Sequence, residues 1–243
     1  MHGFANPARF LRIARWLTPL LLIAGLILAG AALWWGVFCA PADALQGDTV
    51  RIIYIHVPTA WLGMAGWMAI AAASLTELVW RHPLAGIAAR ASAAPGAVFT
   101  GVCLATGSLW GRPAWGAWWV WDGRLTSMLV LLFLYFGYMA LASAADADGR
   151  GDNRIPAIFG LVGAVNIPII HYSVLWWNSL HQPPSITMGQ SAMAPEFLLP
   201  LLMSTLGFSL LFGGVVLARM RTILANAQAE ARLRRKAMTE DAV

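Results

Sequence analysis

The sequence predicts an all-α integral membrane protein, a bundle of six transmembrane helices with both termini cytoplasmic. Three observations predict it. Hydrophobic residues fill 59% of the 243 positions and charged residues only 11%, against about 25% charged in an ordinary soluble domain. Six apolar runs reach the roughly 20 residues that a bilayer core requires. Lys and Arg collect on alternate connections between those runs, which fixes an orientation.

The first run, about residues 16–37, follows Arg9, Arg12 and Arg15. It is long enough to span, and no small-residue cleavage site follows it, so it reads as a helix and not as a cleaved signal. The second, 57–79, comes after "CAPADALQGDTVRIIYIH", with Pro58 suited to the first turn of a helix. The third, 91–109, carries Pro95 and Gly96, which membrane helices tolerate. The fourth, 125–145, follows Asp122, a side chain able to cap a helix whose first turn is Gly123–Thr126. The fifth, 155–176, contains Asn166 and Pro168, and the sixth covers 196–218. The organisation expected is one membrane domain, residues 1–218, with outer-face loops forming a Trp-rich platform, and a basic cytoplasmic tail, 219–243. Ala, Leu and Arg recur at helical spacing in that tail, which suits a solvated or surface-lying helix near anionic lipid.

Thirteen of the sixteen basic residues lie on one face: the N-terminal three, Arg81, Arg90, Arg150, Arg154, and six in the tail from Arg219 to Lys236. Only Arg51, Arg112 and Arg124 lie on the other. The positive-inside rule makes the first face cytoplasmic. The net charge of +5 therefore reflects topology at the edges of apolar runs, and no nucleic-acid partner is expected. Phosphate-loop, HExxH and GxSxG patterns are missing, as is a convincing Ser–His–acid set, so no enzymatic activity of its own is expected. Cys39 and Cys103 form neither a CxxC pair nor a metal spacing.

The outer face holds what chemistry there is. "WGRPAWGAWWVWDGR" places Trp110, Trp115, Trp118, Trp119 and Trp121 beside Arg112, Asp122 and Arg124. Interfacial belt residues explain scattered tryptophans such as Trp34, Trp35 and Trp80. Five so close together, interrupted by Gly and Pro, do not make a helix ladder and favour a platform for a large planar ligand. His56, His171 and His181 share this face, whereas His2 and His82 fall on the other. A porphyrin accounts for this set better than zinc does, because iron takes imidazole axially and carboxylate support is thin. Arg112 and Arg124 offer forked donors for propionates. Asp122 reads as a cap or an arginine partner before a ligand contact. Asn166 and Arg90 are polar groups in or beside apolar spans, the latter able to snorkel.

"WGRPAWGAWWVWDGRLTS" resembles the tryptophan-rich WWD signature of the haem-handling membrane proteins of cytochrome c maturation. "RIIYIHVPTAW" and "IPIIHYSVLWWNSLHQ" resemble the flanks of one branch, haem exporter protein C (CcmC), from about Trp34 to the sixth span. The resemblance implies a bacterial inner-membrane protein that binds haem b at the periplasmic face and presents it to the haem chaperone CcmE. It implies an ABC-type complex with the ATPase CcmA, the membrane subunit CcmB and the small membrane protein CcmD. It also implies axial ligation by His56 and His181, a choice over His171 that spacing alone does not make. At Leu175 the family commonly carries an acid. The alternative is a permease subunit that itself moves haem or another solute across the bilayer, which would need polar groups deep in the spans.

Overall fold

The computed structural model describes residues 6–147, 153–177, 179–181, 186–187, 190–191 and 193–240; His2 and Arg150 lie outside them. Among the described residues, six helical segments are long and apolar enough to cross a membrane, in the order expected. The helices are α1 (Pro7–Trp34), α2 (Ile53–Trp80), α3 (Ala85–Trp115), α4 (Gly123–Ala147), α5 (Arg154–Gly163), α6 (Asn166–Trp176) and α7 (Pro195–Glu240). α1 packs along α7, α2 along α3, and α4 along α3 and α6. Ile186–Thr187 and Gln190–Ser191 form a two-residue antiparallel ladder in the loop before α7.

Helix ends follow local chemistry. Asn6 caps α1, its Oδ1 accepting from the Ala8 amide at 2.9 Å, with Pro7 at the first position. A 3₁₀ turn, Asp48–Ile52, leads straight into α2, so Pro58 sits in the second turn and not at the start. α3 runs on to Trp115 and ends at Gly116, whose φ of 77° is the left-handed conformation that closes a helix. The fifth span is two helices, not one. Pro168 lacks an N–H for the Ala164 carbonyl, and Ala164 and Val165 turn over in 3₁₀ fashion before α6 begins. Beyond residue 218, α7 continues unbroken to Glu240.

Two prolines leave carbonyls that α7 serves. Pro58 cannot donate to Tyr54 O, and the Ser204 hydroxyl does so at 2.5 Å. Pro95 cannot donate to Ala91 O, and Arg219 Nε does so at 3.0 Å. Unpaired, such groups would be costly in hydrocarbon.

The core lies between α2, α3, α4 and the α5–α6 break. Trp67, Ile70, Leu131 and Tyr135 are fully buried there, and the Tyr135 hydroxyl donates to Gly63 O at 2.6 Å. Trp67 lies on Gly163, where a Cβ would come within 2.3 Å of the indole. Asn166, a functional suspect from sequence, is buried and donates to Ser127 O at 2.9 Å, tying α6 to α4. Arg90 is partnered within the bundle. It bonds Asp146 and Asn153, and Asn153 Nδ2 donates to Glu77 at 2.9 Å, joining four helices at the end opposite the tryptophans. The start of α1 packs on α7 near that same end, Phe10 and Leu11 clustering with Leu84, Ala91, Met220 and Leu224.

Candidate functional site: two anchored histidines beside a tryptophan cluster

His56 stands in the first turn of α2 and leans onto α3. Its Nδ1 is 3.1 Å from the Cys103 carbonyl and 3.0 Å from Thr106 Oγ1. A carbonyl only accepts, so Nδ1 carries the proton and the Nε2 lone pair is left free. The Thr106 hydroxyl points its own proton at Val102 O and Cys103 O, leaving a lone pair for the imidazole. Gly107 makes room: a Cβ there would lie 3.0 Å from His56 Cε1.

His181 is held by a different device. Asp122 Oδ2 lies 2.9 Å from His181 Nδ1, and Ser179 Oγ donates to the same oxygen at 2.6 Å. Ser179 Oγ also accepts the His181 amide at 3.1 Å. The other oxygen, Asp122 Oδ1, accepts the Leu125 amide at 2.8 Å and caps α4, as its place in the sequence indicates. Asp122 thus does two things at once. Burial alone would raise its pKa, but hydrogen bonds from Ser179, Leu125 and His181 hold it below the ordinary carboxylate value. Burial pushes His181 below the ordinary histidine value, and Asp122 only partly offsets this.

The positive charge of Arg124 adds to the lowering at His181. Its guanidinium reaches the His171 carbonyl at 3.4 Å. His171 itself is exposed, its ring against Tyr172, and takes no part in the pair. Arg112 donates to Gly116 O at 2.5 Å, across the end of α3.

The tryptophans divide into two groups. Trp110 and Trp115 lie on the last turns of α3, contrary to the expectation that the segment avoids a helix. Pro113 is tolerated so close to a helix end, and Gly116 then stops it. Their rings meet edge to face at 5.0 Å, Trp115 meets the His181 ring at 4.8 Å, and Trp110 Nε1 donates to Gln46 at 3.0 Å. Trp118, Trp119 and Trp121 follow in irregular chain. Trp119 and Trp121 pair at 5.4 Å, while Trp118 and Trp121 stay 55% and 75% exposed. Trp119 Nε1 is buried with no partner. A groove of about 300 Å³ flanks Trp110 and Trp115, walled by Gln46, Thr49 and Leu180.

Cys103, Thr106, Ser179 and Gln46 were not legible as site residues, because each acts through a fold contact between distant segments. Among the described residues no group of three or more His, Cys, Asp or Glu converges as a metal site. The arrangement offers two neutral imidazoles with tautomers fixed by their partners. Outer-shell hydrogen bonds of this kind accompany metal-ligating histidines.

A sequence model of the family described as heme exporter protein C (CcmC) matches residues 1–235. The chain belongs to the haem exporter protein C family. "Heme exporter protein C" of Bradyrhizobium diazoefficiens is 51% identical over 218 residues, 89% of this chain and 82% of its own length. That of Escherichia coli K12 is 47% identical, covering 92% and 90%. That of Paracoccus denitrificans is 39% identical, covering 96% and 97%. Haem exporter protein C thus matches over nearly the whole chain, with the tryptophan segment and His56, His171 and His181 inside the matched residues.

Proposed function

We propose that this protein acts in haem export for c-type cytochrome maturation, holding haem at the periplasmic face of a bacterial inner membrane through His56 and His181. It delivers that cargo to the chaperone CcmE as a non-ATPase membrane subunit of an ABC-type complex with CcmA, CcmB and CcmD. Family membership and six membrane-length helices support the setting. One observation carries the site: both histidines have Nδ1 engaged by acceptors, leaving each Nε2 available to iron.

The other residues follow from that placement. Trp115 braces His181, and Trp118 and Trp121 give exposed flat surface for the porphyrin and for a recipient docking on it. Trp119 has a spare N–H donor. Arg112 and Arg124 stand at the same end, at the close of α3 and the start of α4, and match propionate carboxylates. Open surface suits cargo that must leave again. The permease alternative gains a broken span at Ala164–Val165, but Trp67 fills the gap over Gly163 and Asn166 is spent on Ser127 O.

The test is the visible absorption spectrum of detergent-purified protein co-expressed with its chaperone. A haem spectrum is expected for wild type and His171→Ala, and its loss or shift for His56→Ala and His181→Ala. A colourless wild type, while the chaperone still acquires haem, overturns the reading.

A further inference from the structure

The two imidazoles are backed by chemically different acceptors. His181 Nδ1 faces a carboxylate oxygen, Asp122 Oδ2, to which Ser179 also donates. A carboxylate draws the Nδ1 proton toward itself and pushes electron density to Nε2, which strengthens the imidazole as a donor to a metal. His56 Nδ1 faces only neutral groups, the Cys103 carbonyl and the Thr106 hydroxyl oxygen. Cys103 Sγ, 3.9 Å away, is neutral as well.

Their anchorage differs as well. His56 is part of α2, bonded to α3 at two atoms and fitted against Gly107. His181 lies in the loop after α6, its backbone amide held by Ser179 and its ring by the Asp122 carboxylate at the start of α4 and by the edge-to-face contact with Trp115.

We propose that the ligands are unequal: Asp122 and Ser179 act as positioning residues that make His181 the retained ligand, and His56 is the one displaced when haem is handed on. This rests on the haem-binding reading above. The step is a ligand exchange. The bond from His56 Nε2 to iron breaks, a bond from a neutral nitrogen or oxygen donor of the recipient forms, and no electron or proton changes owner.

Carbon monoxide is the probe, because it replaces the weaker axial ligand of reduced haem, and Fe–CO and C–O stretching frequencies report the ligand left opposite. Resonance Raman spectra of the CO adducts of detergent-purified, haem-loaded full-length protein are compared for wild type, His56→Ala, His181→Ala and Asp122→Asn. The wild-type adduct is expected to match His56→Ala. Asp122→Asn, which keeps the α4 cap, is expected to raise the haem reduction potential and shift the Fe–CO frequency. A wild-type adduct that differs from His56→Ala, or an Asp122→Asn protein with unchanged potential and frequency, overturns the inference. The His56→Ala comparison decides even where His181→Ala retains no haem. A colourless wild type overturns the haem-binding reading itself, so the two failures are distinguishable.

Discussion

Asp122 bonds His181 through one carboxylate oxygen and the first turn of α4 through the other, at 2.9 and 2.8 Å. The position of a ligand on a loop is thereby fixed to the end of a membrane helix. Asn at this position keeps the cap and loses the charge; Ala loses both. Thermal unfolding should separate them: Asp122→Ala is expected to cost about 1 kcal/mol more than Asp122→Asn, the worth of an N-cap. Both are expected to weaken haem retention. Equal stability of the two variants would remove Asp122 Oδ1 from the account of α4.

Acid is expected to weaken the site. Both members of the pair have folded-state pKa values below their ordinary ones, His181 chiefly through burial and Asp122 through hydrogen bonds that outweigh burial. A depressed value means that the unfolded chain binds the proton more readily. The pair's contribution is therefore complete above the unfolded histidine value, about 6.5, and is lost as pH falls through the lower folded value. A titration of haem absorbance should be flat from about pH 7 upward, with a midpoint below about 6.5. A midpoint above the free-histidine value would contradict the sign.

Gly107→Ala tests the fit of His56. The new methyl would lie 3.0 Å from Cε1 of a ring held at Nδ1, so the imidazole must tilt. A perturbed haem spectrum is expected with the fold intact. Gly101→Ala on the same helix meets nothing within 4 Å and serves as control. It is expected to be neutral or to gain up to about 1 kcal/mol from helix propensity.

Exposure sorts the tryptophans by consequence. Trp118→Ala and Trp121→Ala remove mostly exposed surface and are expected to leave the melting temperature nearly unchanged while reducing chaperone pull-down. Trp115→Ala removes the ring against His181 and is expected to lower both stability and haem loading. Normal pull-down by the Trp118/Trp121 double variant would exclude them from the docking surface.

Ser204→Ala leaves Tyr54 O buried without its donor. Loss of about 1–3 kcal/mol of stability in denaturant unfolding is expected, although only one hydroxyl oxygen is removed. A change under about 0.5 kcal/mol would mean that another donor takes over.

Much of this was visible in the sequence, and the gaps have physical causes. Apolar run length finds the six spans because lipid imposes it, and Asp122 as a cap follows from its place before an apolar run. The extension of α3 through Trp115 was missed because Pro113 and Gly111 look like breakers, whereas a proline so close to a helix end costs little. The break at Ala164–Val165 was hidden because Pro168 signals strain but not where it is relieved. Pro58 suggested a helix start, yet the 3₁₀ turn before it moves the start upstream. Thr106 and Ser179 gave no signal. A hydroxyl's partner across 50 or 57 positions is a property of packing, not of local pattern.

The bonds from Ser204 and Arg219 to Tyr54 O and Ala91 O sit fifteen residues apart on α7, about 22 Å along its axis. Each acceptor exists only because a proline vacated it, and each lies on a different helix. α7 therefore works as a gauge with two fixed marks: a slip by one turn, about 5.4 Å, would strand both carbonyls together. Tyr54 is two residues before His56, so the gauge sets the height of that imidazole relative to α3.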